Sequence, residues 1–140
     1  MRILSQLQTL DEALAAWRRY QEIPFAQFAE ETDIQYMVSH AMLLALQASI
    51  DIATGMVVMK TSKRPETYRE TFYLLGKYAI VPEELAQELS KLAGFRNLLV
   101  HEYTRLDLKQ VYQVLRHNWQ TMDTFRIIAR DFIRENKKEN

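Results

Sequence analysis

The sequence predicts an all-α fold, a single-domain helical bundle of about four or five helices spanning residues 1–140. Three observations predict it. Apolar residues recur at steps of three and four along almost the whole chain, and no window sustains the alternation of a strand. Glycine and proline number three each, too few for the many turns of a sandwich or barrel. Hydrophobic residues make up 48% and charged residues 26% of the 140 positions, the balance of a chain that folds around a core.

The first helix runs from about Ile3 to Glu22, with Leu4, Leu7, Leu10, Leu14 and Trp17 on one stripe and Pro24 beyond its end. Thr32 or Asp33 is placed to cap a long second helix that reaches about Lys60. Its residues Leu43, Leu44, Ala45, Leu46, Ala48, Ile50 and Ile52 leave almost no polar face, which places it at the centre of a bundle or against a second subunit. Lys60 to Pro65 is a connection, and Pro65 suits the first turn of a third helix ending near Gly76. Pro82 opens a fourth helix whose first-turn Glu83 and Glu84 complement the helix dipole. Leu108 to Arg134 makes the last long helix, and residues 135–140 form a polar tail expected to fray.

Composition excludes several chemistries. Cysteine is absent, which removes disulfides, thiolate catalysis and cysteine zinc sites. No glycine-rich phosphate loop, G-x-S-x-G elbow or HExxH pair occurs. His40 and His117 lack metal-ligand spacing, so no metal site is expected. The 18 cations balance the 18 anions. Residues 1–59 nevertheless carry 3 cations and 7 anions, so the later half, with 15 and 11, would make any polyanion contact. The N-terminus turns polar too early for a signal peptide, and the apolar run Ala41–Ile52 is broken by Gln47 and Asp51 and too short to span a bilayer. A cytoplasmic protein without membrane contact is the expectation.

The fourth helix carries an anomaly. Its stripe Leu85, Leu89, Leu92, 96, Leu99, 103 continues inward at Arg96 and Tyr103. An inward arginine needs a carboxylate partner, a polar cleft or a subunit boundary. Asp51, the charge within the apolar second helix, is the candidate partner. A structural Arg96–Asp51 pair and a functional arginine both fit the periodicity. His101 follows Asn97 by four residues and shares its face, whereas Arg96 and His101 lie about 140° apart on an ideal helix. The two side chains are complementary: histidine moves protons near neutrality, and arginine offers a fork of donors to a phosphate.

The run Phe95-Arg96-Asn97-Leu98-Leu99-Val100-His101-Glu102-Tyr103 resembles the R-N-x-x-x-H-x-Y signature of HepT-like toxins of the HEPN superfamily. Chain length, helical character and the motif's place before the last long helix agree with it. The resemblance implies a metal-independent endoribonuclease toxin of a toxin–antitoxin system, needing no cofactor. Arg96 and His101 match its catalytic pair and Asn97 a supporting residue. It implies an MntA-like nucleotidyltransferase antitoxin that transfers AMP onto the motif tyrosine, here Tyr103, and a homodimer with both motifs in one cleft. RNA is the implied substrate, while DNA, lacking the 2′-hydroxyl, would resist. The competing reading is a non-catalytic module that binds a nucleotidyltransferase or RNA without cutting it.

Two surface groups have structural explanations that outweigh an RNA-binding one. Trp17, Arg18, Arg19 and Tyr20 interleave aromatics with cations, as core and wet face of one helix. Lys60, Lys63, Arg64 and Arg69 could guide RNA or simply solvate a connection.

Overall fold

The computed structural model describes residues 2–101 and 107–138. Among these residues the protein is entirely helical, in seven segments: α1 Arg2–Arg19, α2 Phe25–Glu30, α3 Thr32–Thr61, α4 Tyr68–Lys77, α5 Glu83–His101, α6 Leu108–His117 and α7 Trp119–Lys138. The bundle is thus more finely divided than the four or five helices expected. Each division has a local cause.

α3 is the spine. Its 30 residues extend about 45 Å at 1.5 Å per residue, and α1, α4, α5 and α7 pack around it. Met42, Ala45, Ile52, Ala53 and Met56 are fully buried along it, facing Leu10 and Trp17 of α1, Phe72 and Leu75 of α4, Leu89 of α5 and Phe125 of α7. α3 is long and apolar enough to cross a membrane, but half of its most apolar stretch is buried by the other helices. That burial is the signature of a core helix.

The ends of these helices are set by specific bonds. α1 stops at Arg19 rather than Glu22, and Pro24 leads into the short α2, whose Phe28 is fully buried. Neither Thr32 nor Asp33 caps α3. Glu31 occupies the cap without a side-chain bond, and Gln35 Nε2 instead donates to the Phe28 and Ala29 carbonyls at 2.9 and 3.2 Å, tying α2 onto α3. α4 begins at Tyr68, three residues after Pro65. Thr67 caps it by accepting from Glu70 N at 3.0 Å, while Glu70 accepts from Glu66 N at 3.1 Å. It ends in a Schellman turn, with Ile80 N bonded to Leu75 O at 2.9 Å and Ala79 N to Gly76 O at 3.1 Å. The left-handed position of that turn is Ala79, with φ 55°.

The last long helix is two. α6 and α7 meet at Asn118, and α1 with the turn that follows it stabilises the break. Trp17 Nε1 donates to Leu115 O at 2.9 Å and Gln21 Nε2 to Arg116 O at 3.1 Å, supplying donors to carbonyls that a broken helix leaves without them. Trp119 Nε1 returns a bond to Leu14 O at 2.9 Å. Residues 135–138, expected to fray, continue α7, and Asn136 donates to Phe132 O at 2.8 Å.

Candidate active site

The site is built where the last turns of α5 cross α3. Phe95 and Leu99 are buried anchors that fix this part of α5 on the bundle, so Arg96 between them lies half-buried against α3. Its Nη1 donates to Gln47 Oε1 at 2.6 Å and its Nη2 to Asn97 Oδ1 at 3.0 Å. Gln47 Nε2 in turn donates to Asp51 Oδ1 at 3.2 Å, one helical turn along α3. Arg96 Nε is shielded from solvent and has no hydrogen-bond partner among the described residues.

This arrangement corrects the direct Arg96–Asp51 pair. No ion pair joins them among the described residues; Gln47 stands between. Among the described residues both oxygens bound by the guanidinium belong to neutral amides, so the fork is oriented and no carboxylate there neutralises it. A salt-bridged arginine would have had that charge matched by its own fold.

Asn97 is exposed and adjoins the guanidinium. His101 is the final residue of α5, five positions and about 7.5 Å of helix rise beyond Arg96. Tyr103 lies outside the described residues. Asp51 is half-buried and supports Arg96 through Gln47. Gln47 is the residue that sequence reasoning missed, although a signal for it exists. Gln47 and Asp51 both interrupt the apolar run, spaced four apart, and hence share one face of α3.

Towards the N-terminal half of α3 and at the end of α5 the surface is partly apolar. Tyr36, Met37 and Leu44 of α3 and Val100 of α5 are exposed large hydrophobic residues. No group of three or more His, Cys, Asp or Glu residues with metal-holding geometry occurs among the described residues. His40 and His117 are both solvent-exposed. Trp17 is fully buried, and Arg18 stacks over the Trp119 ring at 4.4 Å, so that aromatic and basic stretch serves the core and its edge.

The Ribonuclease HepT-like family model matches residues 10–129. The chain belongs to that family. It is 30% identical over 113 residues to the tRNA nuclease HepT of Aphanizomenon flos-aquae, covering 81% of this chain and 77% of that one. It is 26% identical over 125 residues to the mRNA nuclease HepT of Shewanella oneidensis, covering 88% and 92%. Among solved structures, the tri-AMPylated Shewanella oneidensis HEPN toxin in complex with an MNT antitoxin superposes with a TM-score of 0.81. That match covers 92% of this chain and 96% of the other at 24% identity. A cytosolic protein of Bacillus subtilis, YutE, shares the fold at a TM-score of 0.77 and 18% identity. The helical architecture expected from the sequence is therefore that of HepT-like proteins.

Proposed function

We propose that this HepT-like chain is a metal-independent endoribonuclease, the cytoplasmic toxin of a toxin–antitoxin system, with Arg96 and His101 as its catalytic pair. The observation that carries this reading is the Arg96 guanidinium held by two neutral amide oxygens, on the helix that ends in His101. A fork oriented but not neutralised is suited to a phosphate that gains charge in the transition state. The names of the HepT relatives, a tRNA nuclease and an mRNA nuclease, support RNA as the substrate.

In the proposed mechanism His101 takes the proton of a ribose 2′-hydroxyl, whose oxygen attacks the adjacent phosphorus. The P–O5′ bond breaks, leaving a 2′,3′-cyclic phosphate and a 5′-hydroxyl that takes up a proton. Arg96 stabilises the non-bridging oxygens, and Gln47, itself held by Asp51, fixes the fork's plane. The attacking group belongs to the substrate, so the scheme needs no metal-activated water. Asn97 supports the guanidinium from its other edge.

Regulation follows the same site. An MntA-like nucleotidyltransferase antitoxin would transfer AMP onto Tyr103, two residues from His101, adding bulk and negative charge that exclude RNA. The apolar rim of Tyr36, Met37, Leu44 and Val100 supports a homodimer that brings two motifs to one cleft.

The test is a defined RNA carrying one 2′-deoxynucleotide at its mapped cleavage position. Cleavage of the all-ribose strand to cyclic-phosphate ends, with the substituted strand intact, is expected. Equal cleavage of both strands would overturn the 2′-hydroxyl mechanism.

A further inference from the structure

On the far side of Asp51 from Arg96, a cavity of about 600 Å³ opens between α3, the start of α1 and the start of α4. Asp51, Thr54 and Thr71 form its polar part, and Arg64, Thr67 and Tyr68 lie along its wall. That polar end is rich in acceptors. Thr54 Oγ1 donates its single hydrogen to Ile50 O at 2.9 Å, and Thr71 Oγ1 donates to Thr67 O at 3.0 Å. The two hydroxyl oxygens stand 3.4 Å apart, where either can donate to the other, and with their hydrogens used inside the protein they offer lone pairs. Thr67 Oγ1 accepts from Glu70 N. Asp51 uses one carboxylate oxygen for Gln47, and its other oxygen accepts no bond among the described residues. The cavity thus presents acceptors at its Asp51–Thr54–Thr71 end, with the donors Gln6 and Tyr68 and the charges of Arg64 and Glu66 elsewhere on its lining.

We propose that this cavity is a nucleobase subsite for a base with an exocyclic amine (guanine, adenine or cytosine), whose phosphate is met by Arg64. Such a base brings the donors that Asp51 and the threonine hydroxyls lack, whereas uracil presents two carbonyl oxygens and one N–H. The position suits a neighbour of the scissile nucleotide. Asp51 is one α3 turn from Gln47, and therefore about 6 Å along the helix from the residue that holds Arg96. The assignment rests on the RNA reading of the Arg96 site for its substrate class, but it is testable without cleavage.

The experiment is equilibrium binding of GMP, AMP, CMP and UMP to the unmodified full chain by calorimetry, in metal-free buffer. The amino-bearing nucleotides are expected to bind about fivefold or more tighter than UMP, the low end of one good base-edge contact. Asp51→Asn should erase the preference, because an amide can also donate to uracil. Arg64→Ala, at an exposed position, should weaken all four alike, with circular dichroism reporting that both variants are folded. Equal binding of UMP, or no binding by any mononucleotide at millimolar concentration, overturns the assignment. Spermidine binding that exceeds all four nucleotides and falls in Asp51→Asn would overturn it in favour of a polyamine. An RNase-inactive chain that still discriminates in this way would retain the subsite and sink only the nuclease.

Discussion

Replacing Gln47 with glutamate isolates the electrostatic part of the Arg96 argument. The substitution keeps the shape and the acceptor that sits 2.6 Å from Arg96 Nη1, and adds one negative charge beside the guanidinium. A phosphate bound to the other edge of Arg96 would lie roughly 6–7 Å from that charge. Coulomb's law at that separation gives about 1 kcal/mol at an effective dielectric near 40, and about 2.5 kcal/mol at 20. Arg96 is half-buried, so both values bracket its environment. At about 1.4 kcal/mol per decade, kcat/KM for RNA cleavage should fall roughly 5- to 70-fold. Folding should change little. The new ion pair with Arg96 is opposed by loss of the Gln47–Asp51 bond and by repulsion between two carboxylates four residues apart, each worth about 1 kcal/mol or less. The assay is initial-rate cleavage of a fluorogenic RNA beside a thermal melt. A well-folded Gln47→Glu chain that cleaves at the parental rate would refute the claim that an unmatched Arg96 charge acts on the phosphate.

Two further expectations concern the scaffold. Trp17→Phe removes the donor to Leu115 O at the α6–α7 break and opens space at a fully buried position, so it should cost about 2–3 kcal/mol in denaturant unfolding; an unchanged midpoint would mean the break does not need that bond. Ala79→Gly relieves a left-handed backbone at φ 55°, and should stabilise by up to about 1 kcal/mol after the glycine's extra unfolded-state entropy is subtracted. A lowered melting temperature would contradict that reading of the Schellman turn.

The residues that announced themselves in the sequence did so through conflict with their own pattern. Arg96 on an apolar stripe pointed to α3 before any contact was known, and α3's missing polar face left two places for it, the bundle centre, where it lies, or a second subunit. The partner was misplaced by one helical turn. Periodicity assigns Gln47 and Asp51 to one face but cannot say which of them lies level with Arg96. The split of the last helix was not legible, because Leu115, Trp119 and Met122 continue the same buried stripe across Asn118. The break is stabilised from outside the segment, by Trp17 of α1 and Gln21 in the turn after it, and no local propensity encodes that. α2 escaped for a different reason: six residues are too few to display a helical period. The cap of α3 failed likewise, because Gln35 reaches back to α2 and a tertiary contact takes the place of a local one.

The central claim, that Arg96 and His101 cut RNA without a metal, is met most directly by one comparison. Unmodified parent, Arg96→Ala and His101→Ala chains, each weighed by intact mass spectrometry to exclude added AMP, are incubated with a mixed RNA pool in EDTA. The account predicts cyclic-phosphate ends from the parent, with cleavage at least about 100-fold slower in either variant. Folded, unmodified parent that cuts no faster than His101→Ala would contradict it, and would leave this HepT-like bundle a binding module.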